Sequence, residues 1–542
     1  MIEQGAQLTN LDMEAGSEWR FELEDGENIA VRSLTSDPLF INSQEIPPSS
    51  WYPIHRLTKS SIYAPSPSRI QLTSIPSSQY TSTSTTQPQL INIHLALERL
   101  RILAKRGHEG IVGPRMMVMG PLSSGKSTVV KNLVNMALGT GLGWTPGVVG
   151  LDPSSPPNLI PGTLSLSSPS HPLPTHHPAH PLGSPPTSQP ANTLSADVET
   201  VGWWLGALEP TTKNSDVWKV LVDNIAEGWR KRCEQDKKAN ASGLFVDTPA
   251  AFCVPTLGTK KDDPKARYVL VNHAIQALNI DTILVIGHEK LHIDITRLPL
   301  IQSRGIQVIR IPKSGGAVDL DEHYREAAHR FQIRAYFYGE PTLPPEISSL
   351  VGKMVGLDPA LTPYSSQISW KKLIILRVGE ENAAPSTALP LGSAKVLSPT
   401  RLARVDPSGE GHVVRLLNKV LALVKIENED RIVPTVKEEK QEGQQSEEEA
   451  TSKDGEEGNG GERTEEEGEG EVTRTEEQKE ESLDEEDEVP FKEEIGTREV
   501  MGYIVITAID TFQQKYTVLS PNPGKLPSTI AIAGSIEWVD ST

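Results

Sequence analysis

Cysteine is all but missing: Cys233 and Cys253 are the only two in 542 residues, which excludes a disulfide framework for a chain of this size. No secretory pattern opens the sequence, so an intracellular protein is expected. Long apolar runs are lacking as well. None approaches the roughly 20 residues that span a bilayer, and a soluble protein with no membrane partner is expected. A basic excess is also absent, for the formal net charge is −19, which at first sight argues against a polyanionic ligand. That deficit is local. Between Lys437 and Glu494 stand 26 acidic and 7 basic residues, and the rest of the chain carries 45 of each sign. The acidity belongs to a Glu-rich tract that cannot bury enough apolar surface to offset the entropy of ordering it, and it says nothing about the folded surface.

What remains divides into three regions, as a chain of this length allows. After a tail, 1–17, a small N-terminal β domain is expected over 18–92. There "EWRFELEDGENIAVRSL" alternates apolar and polar residues about Asp25-Gly26 and reads as a hairpin, and "SSIYAPS" adds a further strand. "INIHLALERLRILAKRG" then places Leu95, Leu97, Leu100 and Leu103 at helical spacing, with Gly107 as a stop. From 93 to 345 apolar strands, "RMMVMG", "GVVGLD", "SGLFVDT", "DTILVIG" and "GIQVIRI", alternate with helical stretches. The pattern predicts an α/β domain, a mainly parallel sheet with helices on both faces. A Pro, Ser and His run, 163–196, reads as a disordered insertion. Its His171, His176, His177 and His180 are accompanied by no Cys or carboxylate and make a poor metal set. Strand-like pieces return in 346–542 ("KKLIILRV", "MGYIVITAID", "KYTVLSP"), a C-terminal β-rich domain that the acidic insertion, 437–494, interrupts between two strands able to pair without it.

The chemistry is concentrated in "GPLSSGKST", Gly120 to Thr128. An apolar strand enters this segment and a helix leaves it, the context that the G-x-x-x-x-G-K-[ST] phosphate loop requires. Gly120 and Gly125 let the backbone curl round an anion, Lys126 neutralises charge, Ser127 is the expected Mg²⁺ ligand and the helix N-terminus adds its dipole. Such a site needs an acidic residue at a neighbouring strand end, and two are available, Asp152 after "GVVGL" and Asp247 after "GLFV". Asp152 stands where a base would accept the proton of an attacking hydroxyl; either residue also reads as a cap on the next turn. Guanine recognition by [NT]-K-x-D is not found in place: "TKKD", Thr259 to Asp262, follows no strand, and "DTILVIG" is followed by His288, Glu289 and Lys290. ATP is therefore the expected nucleotide. In "HYREAAHRFQIRAYFYG", Arg325, Arg330 and Arg334 precede an aromatic cluster; the helix reads equally as a cationic lid over phosphate or as a solvated face with core aromatics.

Taken in order, "GPLSSGKST", "GLDPSSPPNLIPGT", "SGLFVDT", "PKSGG", "IRAYFYG" and "YTVLSPNPGKLP" resemble the Clp-type ATP-binding subunits of the mRNA cleavage and polyadenylation machinery, sisters of the polynucleotide 5′-hydroxyl kinases, in their fungal form. The resemblance runs from about Glu18 to the C-terminus. It implies an N-terminal β-sandwich, a central ATP-binding domain, a nuclear location and a role in endonucleolytic cleavage before poly(A) addition. It also implies a complex with the scaffold subunit that binds the RNA polymerase II tail and with other subunits of the machinery, any contact with RNA being weak or indirect. By the same resemblance Glu18 and Lys59 close over the adenine side of ATP, Ser123, Ser124, Gly125, Lys126, Ser127 and Thr128 hold its phosphates, and Ser127 and Asp152 serve Mg²⁺. Asp152 and Arg334 would carry catalysis if the chain were kinase-active.

The departures from the kinase pattern fall on the RNA side. Asp152 is followed by "PSSP" where active kinases have Gly-Gln-Gly; the phosphate clasp reads "EPTTKNS", keeping Thr211 and Thr212 but not the Pro and Gly that shape its turn. Pro249, Ala250 and Ala251 stand where a Trp would stack on RNA, and of two lid arginines one matches Arg334 while the other falls on His329. A missing stacking platform forfeits roughly 1 to 3 kcal/mol per base. The expectation is a subunit that holds ATP rather than turning it over, with a working 5′-hydroxyl kinase as the alternative.

Overall fold

A computed structural model of the chain describes residues 8–108, 110–175, 199–260, 263–339, 342–351, 362–379, 400–405, 415–431 and 491–540. Nine short strands come first: β1 Thr9–Met13, β2 Ser17–Glu22, β3 Ile29–Ser33, β4 Leu39–Ile41, β5 Gln44–Ile46, β6 Tyr52–Ile54, β7 Lys59–Ala64, β8 Ser68–Leu72 and β9 Ser78–Ser82. They form two sheets, ordered β1-β8-β3-β6 and β5-β4-β7-β2-β9, closed over a core that includes Trp19, Phe21, Ile29, Val31, Ile62 and Ile70. This is the sandwich that paired apolar faces require. Two expectations need correction. β1 pairs with β8 from Thr9 to Met13, so the domain starts within the stretch read as a tail. The segments flanking Asp25-Gly26 do not pair as a hairpin: β2 and β3 lie in different sheets. Glu27 fixes that crossing instead, its carboxylate accepting from the Glu24 and Ser77 N–H groups at 2.9 and 3.1 Å.

The central domain follows with α1 Gln87–Lys105, β10 Arg115–Met119, α2 Lys126–Gly139, β11 Gly147–Gly150, β12 Thr163–Ser168, β13 Glu199–Trp204, α3 Ser215–Gln235, α4 Lys237–Ser242, β14 Leu244–Asp247, α5 Val269–Leu278, β15 Thr282–Ile286, α6 Glu289–Thr296, α7 Pro299–Arg304, β16 Gln307–Ile311 and α8 Glu322–Tyr338. Its sheet runs β13-β12-β11-β14-β10-β15-β16. The five strands read from the sequence are all mutually parallel. Strand alternation sorts the two faces: Met116, Val118 and Phe245 pack under α1 and α2, while Met117, Met119, Leu244 and Val246 pack under α3 and α5. α1 buries Leu90 and Leu97 and leaves Leu95 58% exposed, so the inward face differs from the expected leucine set. At its centre Arg101, fully buried, donates to Glu98 at 3.0 Å and to the Ser242 carbonyl, while the Trp144 indole donates to Glu98 at 2.7 Å.

The Ser-rich start of the expected insertion is structural. β12 pairs antiparallel with β11 and β13, every residue buried, because "TLSLSS" offers small residues to one face and leucines to the other. Leu173 and Thr175 are buried as well; His176, His177 and His180 lie outside the described residues. Among the described residues no group of three metal-ligating side chains occurs, and no helix is long and apolar enough to cross a membrane.

After α9 Pro345–Val351, whose Ile347 packs against Ala30 and Trp51 of the sandwich, come β17 Tyr364–Ser369, β18 Ile374–Val378, β19 Leu402–Arg404, β20 Lys419–Val424, β21 Val500–Asp510, β22 Lys515–Ser520 and β23 Ile530–Glu537. They make one sheet, β17-β22-β21-β20-β23-β18-β19. The strands on either side of the acidic tract, β20 and β21, pair directly from Val420 opposite Val505. Most of that tract, 432–490, lies outside the described residues; Glu493 and Glu494 open a short 3-10 turn that buries Ile495. By internal contacts Glu427–Lys492 is a separate unit, described only at its ends, where Arg431 bridges Phe491.

Candidate functional site

β10 delivers the chain to the centre of the parallel sheet, where the carboxyl end of β14 lies beside it and that of β11 one strand further out, the position at which such sheets bind ligands. The turn that follows contains Ser123 at φ 53° and Gly125 at φ 88°, a left-handed pair that a glycine makes inexpensive. Gly120 must also lack a side chain, since a Cβ there would lie 2.7 Å from the Ser124 hydroxyl oxygen. Lys126 folds back over the loop, its Nζ donating to the Pro121 carbonyl at 3.1 Å. The Ser124 Oγ is buried with no hydrogen-bond partner among the described residues. A curled backbone, a buried hydroxyl left without a partner among the described residues and a lysine bonded to its own loop fit a bound polyphosphate. Thr128, one turn into α2, is exposed, and its carbonyl accepts from Asn132.

Ser127 donates to Asp247 Oδ2 at 2.6 Å. Burial pushes the Asp247 carboxyl up to about 7, against the pull of Lys126 and the Ser127 bond. A half-buried hydroxyl bonded to a buried carboxylate beside a phosphate loop has the chemistry of a Mg²⁺ site. Gly150 is in register with Asp247, so Asp152 emerges from the next strand end. Its Oδ1 accepts from the Ser154 N–H at 3.0 Å and hydroxyl at 2.7 Å. Burial raises this carboxyl too, while Ser154, Lys126 and His329 pull it down. The sequence reading pairs Asp152 with Ser127 for Mg²⁺ and keeps Asp247 as a second candidate; in the structure Asp247 is the carboxylate joined to Ser127, and Asp152 is bonded to Ser154.

Lys59 lies against α8, and Glu18 holds Arg20, which meets the loop before that helix. Glu18 is 3% exposed; it accepts from Arg20 Nη2 at 2.9 Å and from the Thr85 hydroxyl. Lys59 pairs with Glu22 at 2.6 Å and lies over the Tyr324 ring. Arg20 is the residue that sequence reasoning missed. Cβ atoms on Gly315 and Gly316 would lie 3.0 Å from its side chain, and Tyr80 donates to the Gly315 carbonyl, so "PKSGG" owes its glycines to a close approach between domains. The signal was present as three charged residues, Glu18, Arg20 and Glu22, on one face of a strand whose other face carries Trp19 and Phe21.

α8 serves two sites. At its start Arg325 Nη2 donates to Ser123 Oγ at 2.9 Å, and the Leu320 N–H donates to the same oxygen at 3.2 Å. At its end Arg334, the expected lid arginine, pairs instead with Asp540 at 3.3 Å and lies over Tyr338. The aromatic run beside it is a domain seam: the Tyr336 hydroxyl accepts from the Tyr503 N–H, and Phe337 stacks on Trp538. Arg330 pairs with Glu326 along the helix at 3.7 Å. His329 lies near Asp152, its pKa lowered by burial.

The other RNA-side positions are occupied by structural work. Thr211 donates its N–H to Asn214 Oδ1 at 2.6 Å, and Asn214 stands at the N-cap position of α3 with its side chain turned back to this turn. Ala250 and Ala251 begin a 3-10 turn whose Phe252 packs edge-on against Trp218. In "TKKD", Lys260 pairs with Asp216 at 2.9 Å, while Lys261 and Asp262 lie outside the described residues; after β15, His288 caps α6.

Three family models match the chain: the mRNA cleavage and polyadenylation factor CLP1 P-loop over 120–339, the N-terminal β-sandwich domain of polyadenylation factor over 12–104, and the pre-mRNA cleavage complex II protein Clp1 over 361–441 and 473–540. The mRNA cleavage and polyadenylation factor CLP1 of Cryptococcus neoformans var. neoformans serotype D (strain JEC21) is 71% identical over 99% of both chains. Its namesake in Laccaria bicolor is 32% identical, again over 99% of both. A solved structure of wild-type Clp1p in complex with Pcf11p shares the fold with a TM-score of 0.69 at 19% identity, covering 99% of each chain. A second, which describes the Pcf11p–Clp1p interface and ATP loss in a point mutant, gives 0.67. A phosphate-loop domain between two β domains, matched along almost the whole chain, establishes that this protein belongs to the Clp1 family of mRNA cleavage and polyadenylation factors.

Proposed function

We propose that this chain is a nuclear subunit of the pre-mRNA 3′-end cleavage complex that binds ATP with Mg²⁺ and holds it, the nucleotide stabilising the arrangement in which a scaffold subunit docks. Ser123, Ser124, Gly125, Lys126, Ser127 and Thr128 would cradle the phosphates, Ser127 and Asp247 would orient the cation with Asp152 behind them, and Glu18 and Lys59 would close the adenine side. Bound ATP supplies negative charge that the loop amides, Lys126 and the N-terminus of α2 are arranged to meet. The docking partner is inferred from the solved relative, in which Clp1p is bound to Pcf11p; that a scaffold of this kind binds the polymerase tail here is part of the proposal.

One contrast carries this reading. The phosphate side keeps its parts, whereas the groups a kinase would turn toward RNA are spent on folding: Thr211 at a helix cap, Ala250 and Ala251 in a turn over the core, Arg334 on Asp540. A ligand at about a thousandfold over its Kd stabilises a fold by about 4 kcal/mol, so ATP can serve as structure. Analysis of nucleotide released from purified protein, together with incubation in γ-labelled ATP and a 5′-hydroxyl RNA, tests the proposal. Intact ATP and unlabelled RNA are expected. Label on the RNA would establish the rival kinase, with Asp152, raised by burial and close to Lys126, as its base.

A further inference from the structure

Among the described residues no carboxylate pairs with Arg325. Its three hydrogen bonds among the described residues go to neutral oxygens: Nε and Nη2 to the Leu320 carbonyl at 3.1 and 2.7 Å, and Nη2 to Ser123 Oγ at 2.9 Å. Nη1 donates to none of them. A half-buried guanidinium held at a phosphate loop by neutral acceptors, one fork arm unused, is a site prepared for an anion, because Arg meets phosphate oxygens best with paired donors. Its mount is rigid. Asp321 caps α8 by accepting from Tyr324, the Tyr324 hydroxyl donates to the Leu57 carbonyl at 2.8 Å, and the Leu320 carbonyl braces the guanidinium itself. Both alternatives on the same helix are withdrawn: Arg334 is engaged by Asp540 and His329 sits with Asp152.

We propose that Arg325 is the residue by which this protein distinguishes a nucleoside triphosphate from a diphosphate, its free guanidinium arm addressing the terminal phosphate while Ser123 and Leu320 keep the rest in place. The proposal deepens the ATP reading and rests on it. Because Arg325 stands at the start of the helix that carries Tyr336 and Phe337 into the C-terminal domain, a terminal phosphate held there also ties the loop to the seam between domains.

The test is equilibrium binding of Mg·ATP and Mg·ADP to the full chain, wild type against Arg325→Gln and Arg325→Lys, with thermal unfolding of each nucleotide-free protein as the check on folding. Wild type should prefer ATP. R325Q should weaken ATP by about ten- to a hundredfold, the loss of a charge-assisted pair, and leave ADP within about twofold. R325K, which keeps the charge without the fork, should restore part of the ATP affinity; it serves alone if R325Q does not fold. Equal losses for both nucleotides, or an unchanged ATP affinity, would overturn the proposal in favour of a structural arginine. A wild type that binds both nucleotides equally overturns it while sparing the ATP reading, and one that binds neither overturns both.

Discussion

Asp247 shows how a single carboxylate shapes the protein's response to pH. It is 1% exposed, and in the metal-free protein burial lifts its carboxyl from 3.8 to about 7. The folded state therefore keeps a proton that the unfolded chain releases near pH 4. Between those values the folded state binds more protons, so this residue lowers stability as pH rises, by on the order of a few kcal/mol across the window. Asp247→Asn removes that slope. Urea unfolding without metal should find D247N more stable than wild type at pH 7.5 and alike at pH 4, while Mg²⁺ should no longer tighten its nucleotide binding. An unaltered pH profile would show that the carboxyl titrates at its ordinary value. The phosphate loop and this aspartate were legible in the sequence because their chemistry is local, a strand end and a turn. Arg325 was visible only as one of three arginines: which one reaches the loop depends on how α8 docks, and that depends on residues far along the chain.

At the scale of elements, α1 hangs on a buried ion pair. Arg101 is fully buried and Glu98 nearly so, joined to each other, to Trp144 and to the carbonyl of Ser242. Removing one member leaves the other charged and unanswered, which typically costs about 3–5 kcal/mol. Arg101→Ala should lose stability on that scale in chemical denaturation, whereas a Glu98→Gln, Arg101→Met double variant should recover much of it; equal loss in both would mean that packing, not charge, is at stake. The backbone crossing between the turn after β13 and β23 is as intolerant. A Cβ on Gly534 would lie 2.4 Å from the Gly206 Cα, and Ser535 donates its N–H to the Gly206 carbonyl at 2.6 Å. Gly534→Ala should lower the melting temperature and speed proteolysis of the C-terminal domain, with nucleotide affinity less affected; unchanged protease resistance would count against a tight seam. The parallel strands could be read in advance because continuous apolar runs mark them. The Asp25-Gly26 hairpin was misread for the opposite reason: turn residues specify a reversal, but whether the strand returns to the same sheet is decided by the core it must cover. β12 was hidden for a like cause, since serines that face a crowded sheet look the same in sequence as serines in a loop.

For the whole molecule, the formal charge of −19 is a property of one tract and not of the fold. β20 and β21 pair across the point where that tract leaves and rejoins the chain, with a single register shift between Leu423 and Val424, so their alignment is set by the ladder and by their buried residues, Leu421, Leu423, Ile504 and Ile506 among them. Loop-closure entropy grows only slowly with length, each doubling costing about 0.6 kcal/mol. Shortening the connection should therefore stabilise the pair slightly or leave it unchanged. A chain in which 437–488 is replaced by a short Gly-Ser linker should keep its ATP affinity, unfold within a few degrees of wild type, as a difference of under about 1 kcal/mol implies for a molecule this large, and focus well above the full chain's isoelectric point of 5.2. Its solubility near neutral pH should fall, because the remaining surface carries almost balanced charge. A collapse of nucleotide binding in that variant would mean that the tract reaches the site, and the division between a neutral folded body and an acidic insertion would have to be abandoned.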